Sequence, residues 1–228
     1  MIAHKKEFTL GLVLLMAFFV VLFIFFSPVF KGQNGLDYLD SLYNSISKGS
    51  AYYIPKLKEE AKPFTGANVE VSFAMASAAQ AQQTSQLFMK AGALVNVTDA
   101  KLKVAGDLGK ILDGCLADAD AMYKNDGKAV ADRYGYNERQ ALYNWWQAFK
   151  GIEKDLNNQK KFKEAKTVAN ISKKGIEASY NYYKVEPQSI MDRLWVVIFS
   201  LVFYVIYTLW YGFAIMFMFE GWGMQLEH

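Results

Sequence analysis

Two long apolar blocks interrupt a chain whose hydrophobic and polar positions are otherwise mixed. The first runs from Phe8 to Phe30 and the second from Leu194 to Phe219, and neither contains Asp, Glu, Lys, Arg or His. At about 1.5 Å of rise per residue, each block forms a helix of roughly 30 Å or more, which is the hydrocarbon thickness of a bilayer. The pattern therefore predicts two transmembrane helices, at residues 8–30 and 194–219.

Each block has an alternative interpretation that involves no membrane-spanning helix. Lys5 and Lys6 precede the first block, as in a signal peptide, but a signal-peptide apolar region is usually about 7–15 residues long and ends in small side chains. This block is longer and ends in Phe-Phe-Ser-Pro-Val-Phe, which favours an uncleaved signal anchor. The alternative for the second block is a buried core helix, but core helices rarely run so far without a charge. Trp195 and Trp222 near its ends suit the headgroup layer.

Basic residues before the first block predict the orientation of the chain. Lys5 and Lys6 favour a cytoplasmic N-terminus, and two spans return the C-terminus to the same side. We therefore expect residues 1–7 and 220–228 in the cytoplasm and residues 31–193 outside, in the periplasm or the extracellular space. The expected location is the inner (cytoplasmic) membrane. The terminal Leu-Glu-His resembles the start of a vector-encoded histidine tag and carries no functional argument.

The segment between the blocks is patterned as a series of helices. Apolar residues recur at spacings of three and four, most regularly at Leu142, Trp145, Phe149, Ile152 and Leu156. No strand-like alternation of useful length is evident. Four helices are therefore predicted, at residues 35–62, 67–93, 99–125 and 137–184.

Capping residues and breaks set the expected helix boundaries. Thr98 or Asp99 is the expected N-cap of the third helix, and Asn137 begins a capping box for the fourth. Asn157-Asn158 interrupts the fourth helix without Gly or Pro, which predicts a kink rather than an end. Because both ends of the segment return to one membrane surface, we expect an all-α membrane protein with an extracytoplasmic up-down bundle of about four long helices.

Composition and charge restrict the chemistry available to the chain. The net charge of +3 gives no concentrated basic face, so no nucleic-acid partner is expected. The two histidines are His4 and His228, so the segment between the blocks has no Ser–His or Cys–His pair and neither block has a histidine for haem. Neither block has an ionisable group that would carry protons or ions. We expect no enzyme activity, no cofactor and no metal site.

The single cysteine and one pair of acidic residues are interpreted as structural rather than catalytic. Cys115 excludes an internal disulfide and any CxxC site, and its place on an apolar helix stripe predicts a core residue. Asp118 and Asp120 form a carboxylate pair, but neighbouring acids on a helix are usually solvated. Neither feature predicts catalysis.

The aromatic residues of the segment exceed what one helix face can bury. Trp145 and Trp146 are adjacent, so both cannot point into a single core, and Tyr182 points away from the face that Tyr180 and Tyr183 share. Packing within the chain, a partner protein and a lipid or ligand are the alternatives for the side chains left outside. The candidate partner-facing aromatics are Trp145, Trp146, Tyr180, Tyr182 and Tyr183.

The second block carries a polar and aromatic stripe at helical spacing. The candidate membrane-interface residues are Ser200, Tyr204, Tyr207, Thr208, Tyr211 and Gly212. In lipid, small residues permit close helix approach, and hydroxyls form hydrogen bonds across the interface. The stripe faces either the first block or another subunit. The first block is rich in phenylalanine and has few small residues to receive the stripe, which favours an external partner.

Two hypotheses of function follow. The first is a non-catalytic two-span subunit that scaffolds or assembles a larger membrane complex, homo- or hetero-oligomeric, with the lipid bilayer and other subunits or its own copies as partners. The alternative is a sensory input protein with a chemoreceptor-like four-helix extracytoplasmic ligand-binding domain, by analogy of layout. Because the predicted cytoplasmic tails are short, such a sensor would signal through a partner.

Overall fold

The computed structural model describes residues 2–30 and 32–224. Met1, Lys31 and residues 225–228 lie outside the described residues. The tag-like C-terminal end and the first residue of the predicted extracytoplasmic segment are therefore outside the described residues.

The chain divides into two compact units and is mostly helical. The terminal unit comprises residues 1–49 and 187–228, and the central unit comprises residues 50–186. In chain order the elements are α1 (Lys5–Phe26), α2 (Gly35–Ser50), α3 (Ile54–Ala61), β1 (Asn68–Ala74), α4 (Ala78–Lys90), β2 (Leu94–Thr98), β3 (Lys101–Asp107), α5 (Leu108–Tyr123), α6 (Gly127–Tyr134), α7 (Glu138–Asn158), α8 (Phe162–Ile171), α9 (Ala178–Tyr182) and α10 (Leu194–Gly221). A π-helical turn, Ser172–Glu177, joins α8 to α9, and 3-10 turns form at Lys62–Phe64 and Ile190–Arg193.

The terminal unit contains two helices that are long and apolar enough to cross a membrane. α1 has 22 residues and a mean hydropathy of 2.9 over its most apolar window. α10 with the turn before it, Ile190–Gly221, has 32 residues and a corresponding value of 2.0. The predicted pair of long apolar helices is confirmed, although α1 begins three residues earlier than the apolar block and includes Lys5, Lys6 and Glu7.

α2 packs in the same unit through its more apolar face. Leu42 and Ser45 are buried on this face, and the backbone N–H of Gln188 donates to the Ser45 carbonyl over 3.1 Å. Gly35 at the start of α2 lies so close to the Phe25 ring that an added Cβ would come within 2.3 Å of it. α2 is therefore a packed helix of the terminal unit.

The central unit contains a three-stranded antiparallel sheet that the all-helical prediction did not include. Its strand order is β1-β3-β2. Residues 67–93, expected to be one helix, form β1 and α4, and residues 99–125 form β3 and α5. The unit is therefore a mixed α and β structure, and the predicted bundle of four long helices is not found in residues 50–186.

Buried and exposed residues alternate along the strands, but each strand is too short for this alternation to be recognised easily in the sequence. In β1, Val69, Val71 and Phe73 are buried and the residues between them are exposed. In β3, Leu102 and Val104 are buried in the same alternating way. Each alternation lasts only two or three cycles and is soon followed by a helical pattern. Over a stretch that includes both, the helical spacing is the stronger of the two patterns.

Two of the predicted helix boundaries are wrong, and a third is confirmed. Asp107, rather than Thr98 or Asp99, is the N-cap of α5. Asn137 caps α7 as predicted, and its Oδ1 accepts from the N–H groups of the second and third helical residues at 3.0 and 3.1 Å. α7 ends at Asn158, because Lys160 takes a left-handed conformation with φ of 61°, so the Asn157-Asn158 pair marks an end and not a kink.

The core of the central unit lies between the inner face of the sheet and the helices α4, α5 and α7. Phe88 of α4 meets Trp145 of α7 edge to face, with ring centroids 4.9 Å apart. The side chains predicted to share one face of α7 are all buried, at Leu142, Trp145, Phe149, Ile152 and Leu156. The predicted helical spacing of this face is therefore confirmed.

Candidate interaction surfaces

The helices α1 and α10 approach each other closely at small residues. An added Cβ at Gly11 of α1 would lie 2.7 Å from the Met218 backbone nitrogen and 2.8 Å from the Ala214 carbonyl oxygen. Gly221 is packed equally closely against Phe8. The Trp210 indole N–H also donates to the Leu14 carbonyl over 3.1 Å. Small side chains at the contact let the two backbones approach, as in helix pairs in lipid.

Half of the predicted polar stripe contacts the terminal unit itself. Ser200 is buried, and because its hydroxyl donates to the Val197 carbonyl, the Tyr43 hydroxyl of α2 donates to Ser200 over 2.6 Å. The Tyr207 ring stacks on Phe18 of α1 at a centroid distance of 4.5 Å, and Tyr211 lies 5.2 Å from the same ring. The first block has few small residues, as the sequence indicates, but Phe18 receives this half of the stripe by ring contacts instead.

The other half of the stripe remains exposed on one side of α10. Tyr204 is 67% exposed, and an added Cβ at Gly212 would meet nothing within 4 Å. The Thr208 hydroxyl donates to the Tyr204 carbonyl over 2.8 Å, so it is satisfied within the helix. Among the described residues, the Tyr204 hydroxyl makes no hydrogen bond. We call Tyr204, Thr208 and Gly212 the Tyr204 face.

A second exposed flank of α10 is wholly apolar. At spacings of three and four residues it presents Phe199, Val202, Ile206, Leu209 and Phe213. Each of these side chains is at least half exposed, as Phe213 is at 50%. α10 therefore shows a polar face and an apolar flank on the surface that α1 leaves uncovered.

The two adjacent tryptophans of α7 separate into a core residue and a surface residue. Trp145 is fully buried, and its indole N–H donates to Asp118 over 2.8 Å. Trp146 is half-buried, and its N–H donates to Glu177 over 2.7 Å. Trp145 is therefore not a partner-facing residue, because α7 directs it into the core beside Phe88.

The three tyrosines near the end of the central unit also differ in exposure. Tyr183 is buried, and its hydroxyl donates to Glu138 over 2.9 Å, so it is not available to a partner. Tyr182 is half-buried beside Tyr123, with ring centroids 6.0 Å apart. Tyr180 is half-buried and lines a groove. Of the predicted aromatics, Trp146 and Tyr180 are the ones that share a surface feature.

That feature is the α7–α9 groove, a cavity of about 340 Å³. Its floor is formed by Leu142 and Ile176, and its other lining residues are Tyr143, Trp146, Glu177, Tyr180 and Asn181. One side is the π-helical turn, an irregularity that often occurs at functional sites. Cations of the same chain lie against two of the rings: the Lys150 ammonium is 3.4 Å from the Trp146 centroid, and the Arg139 guanidinium is 5.6 Å from that of Tyr180.

A buried carboxylate, Asp118, connects the three helices α5, α6 and α7. It accepts hydrogen bonds from the Tyr134 hydroxyl at 2.6 Å, from the Trp145 indole at 2.8 Å and from the Arg133 guanidinium. Burial raises the pKa of the Asp118 carboxyl, although these donors and the Arg133 charge act to lower it. The expectation that Asp118 is solvated is wrong. Its position three residues after Cys115, on the apolar stripe of α5, is the pattern that indicates burial.

Asp120 behaves as expected for a surface acid. It accepts from the Tyr52 hydroxyl at 2.7 Å and from the Lys124 ammonium at 2.9 Å. Partial burial acts to raise the pKa of Asp120, but the hydrogen bonds from Tyr52 and Lys124 outweigh it, so the pKa is lowered. The pKa of Asp118 is therefore raised and that of Asp120 is lowered, because only Asp118 is fully buried.

The chemistry of the remaining candidate groups is restricted by burial. Cys115 is fully buried, and burial raises the pKa of its thiol well above the usual value. Its predicted position in the core is confirmed. Among residues 2–30 and 32–224, no group of three His, Cys, Asp or Glu side chains is placed to hold a metal ion.

Comparison of the chain with protein-family models, with curated proteins and with solved structures finds no match.

Proposed function

We propose that the protein is a non-catalytic membrane subunit, anchored by α1 and α10, that assembles a larger complex through the Tyr204 face. Only 11% of the apolar window of α1 and 6% of that of α10 is buried within the chain. A soluble protein rarely exposes so much contiguous apolar surface, whereas a bilayer covers it. The basic residues Lys5 and Lys6 favour a cytoplasmic N-terminus in the inner membrane, with the central unit outside.

The observation that carries the assembly proposal is the unpaired hydroxyl of Tyr204. Tyr204 follows the first residue of α10 by ten positions, or about 15 Å of helix, which is near the middle of a hydrocarbon core of about 30 Å. At that depth the hydroxyl cannot reach the headgroups, and the described chain offers it no partner. An unpaired hydroxyl in an apolar medium costs about 2–7 kcal/mol.

A second transmembrane helix would remove this cost. Because Gly212 and Thr208 are small, another helix backbone can approach the Tyr204 face closely. A side chain of that helix would accept a hydrogen bond from the tyrosine hydroxyl. The partner is another subunit of the complex or a second copy of this chain.

A matched pair of substitutions on α10 tests the proposal. Tyr204→Leu removes the hydroxyl on the polar face, and Phe213→Leu makes a comparable change on the apolar flank. After solubilisation of membranes in a mild detergent, native electrophoresis should show the wild-type and Phe213→Leu chains in the same large assembly. Tyr204→Leu should release a smaller species, with affinity lowered about tenfold by the loss of one buried hydrogen bond. Identical migration of all three would contradict the proposal.

The α7–α9 groove favours a sensory protein as a second candidate. The four-helix analogy no longer supports this function, because the central unit contains a sheet. The groove itself, of about 340 Å³ and lined by three aromatic rings, has a volume in the range of small-molecule sites. A panel of aromatic acids and amines would raise the melting temperature of the wild-type chain and of Phe162→Ala, whose side chain is exposed outside the groove, but not of Trp146→Ala.

A further inference from the structure

The two edges of the sheet in the central unit differ in how their backbone groups are covered. At the β1 edge, the Ser72 N–H donates to the Asp155 carboxylate over 3.1 Å. The Gln159 side-chain amide donates to the Glu70 carbonyl over 2.8 Å. The C-terminal end of α7 therefore occupies the outer edge of β1, and β1 is closed to a further strand.

These two hydrogen bonds also show which way the strands face. Because Glu70 and Ser72 direct their backbone groups outward, the alternate residues of β1 bond to β3. Their partners in β3 are Leu102, Val104 and Gly106. The remaining residues of β3, namely Lys101, Lys103 and Ala105, therefore direct their backbone groups toward β2.

The same alternation defines the free edge of β2. Lys101, Lys103 and Ala105 pair with Thr98, Asn96 and Leu94, so these three residues of β2 bond inward. The N–H and C=O groups of Val95 and Val97 then point out of the sheet. Within the part of the chain that the structure describes, no hydrogen bond engages these four groups.

β2 lacks the features that usually protect an edge strand. Its sequence, Leu-Val-Asn-Val-Thr, has no charge and no proline, and its register with β3 is continuous over five pairs without a bulge. Leu94 is 79% exposed at its start. Positive φ values at Gly92 and Asp99 turn the chain away at both ends, so the edge offers five residues centred on Asn96.

We propose that β2 pairs in antiparallel fashion with β2 of a second copy of this chain, about a two-fold axis at Asn96. In this register Val95 of one copy lies opposite Val97 of the other, so all four outward groups of each strand find partners. Leu94 lies opposite Thr98, and the two Asn96 residues face each other. The two sheets become one sheet of six strands.

The charges near the edge permit this pairing. The strand centred on Asn96 is uncharged, and the nearest lysine, Lys103 of β3, is paired with Glu70 over 2.7 Å. The two Lys103 residues would be three strand spacings apart, about 14 Å, which is beyond the screening length of about 8 Å at physiological salt. A strand that matches itself in length, charge and hydrogen-bonding register fits a second copy better than an arbitrary peptide.

This contact lies wholly in the central unit and uses no residue of α10. It therefore goes beyond the proposed assembly through the Tyr204 face, and either interface can fail without the other. If only the β2 contact fails, disulfide trapping at Asn96 is negative while Tyr204→Leu still changes the assembly.

Disulfide trapping of the full chain in membranes tests the register. In the proposed pairing, the two Asn96 Cα atoms are about 4.5 Å apart, within the range of about 4.4–6.8 Å that a disulfide spans. Asn96→Cys should therefore form a cross-linked dimer under mild oxidation with copper–phenanthroline. Leu94→Cys and Thr98→Cys place like residues about 13 Å apart and should form about tenfold less dimer. The Leu94→Cys and Thr98→Cys double variant should cross-link again, because those two positions face each other.

The wild-type chain is the background control, since its one thiol, Cys115, is fully buried. Val97→Pro removes an outward N–H without removing a bond to β3, so it should abolish trapping of Asn96→Cys. Because the Val97 side chain packs against the core, the melting temperature of this variant is measured as well. Equal trapping of the three single-cysteine variants, or trapping of Asn96→Cys to a different protein, would overturn the proposal. If Val97→Pro lowers the melting temperature, the comparison among the cysteine variants decides the outcome.

Discussion

At the scale of single residues, Asp118 joins three helices of the central unit by hydrogen bonds. The carboxylate belongs to α5, and it accepts from Arg133 and Tyr134 of α6 and from Trp145 of α7. Burial of the carboxylate is unfavourable, as its raised pKa indicates, and the three donors offset that cost. Removing the carboxylate would leave Trp145 and Tyr134 with buried, unpaired donors.

We expect Asp118→Ala to lower the free energy of unfolding of the central unit by about 3–5 kcal/mol, since one partner of a buried ionic cluster is lost. Asp120→Ala is the matched control on the same helix. Its side chain is partly exposed and its ion pair with Lys124 is at the surface, so about 1 kcal/mol or less is expected. Urea titration of the full chain in detergent, followed by near-ultraviolet circular dichroism, compares the two. Equal losses would show that the Asp118 cluster does not stabilise the unit.

At the scale of elements, the sequence predicted helices well where a long apolar face was present. α7 begins at its predicted cap, Asn137, and buries the predicted face. The strands could not be predicted with the same means, because β1 and β3 are each seven residues long and merge with helical patterns. The turn at Asp99, with φ of 52°, has the sequence of a helix start, because aspartate favours both helix caps and left-handed turns.

Asp107 illustrates how one side chain joins a strand to a helix. Its carboxylate accepts from the Gly66 N–H at 2.9 Å and from the Lys110 N–H at 3.3 Å, and the bond from Gly66 is the main reason that the pKa of Asp107 is lowered. A lowered pKa in the folded state means that the stabilisation is present above the ordinary carboxyl pKa of 3.8 and is lost as the pH falls through the folded value.

Asp107→Ala should therefore destabilise the central unit by about 1 kcal/mol at neutral pH and by less as the solution becomes acidic. Ser77 supplies the control, because it caps α4 with a neutral hydroxyl that accepts from the Gln80 N–H at 3.2 Å. Ser77→Ala should cost a similar amount at every pH. Thermal melting of both variants between neutral and acidic pH measures the difference, and a pH-independent loss in Asp107→Ala would exclude a charged cap.

At the scale of the whole molecule, α1 and α10 are the first and last helices of the described chain, yet they form one packed pair. Their apolar character was evident from the sequence, because it depends on composition within each helix. Which residues of α10 face α1 was not evident, because it depends on a contact between residues such as Phe18 and Tyr207 that are far apart in the chain. The polar stripe is consequently divided between an internal contact and an exposed face.

Two glycines allow these two faces of α10 to be tested separately. At Gly11, any side chain would meet backbone atoms of α10 within 3 Å, so Gly11→Leu should separate α1 from α10 and lower the melting temperature of the solubilised chain. At Gly212, an added Cβ meets nothing within 4 Å, so Gly212→Leu should leave the α1–α10 pair and the melting temperature of the isolated chain unchanged. It should nevertheless block the Tyr204 face, so that native electrophoresis shows a smaller assembly. If Gly212→Leu assembles like the wild type, a partner helix does not approach α10 on that side, and the hydroxyl of Tyr204 is satisfied in another way.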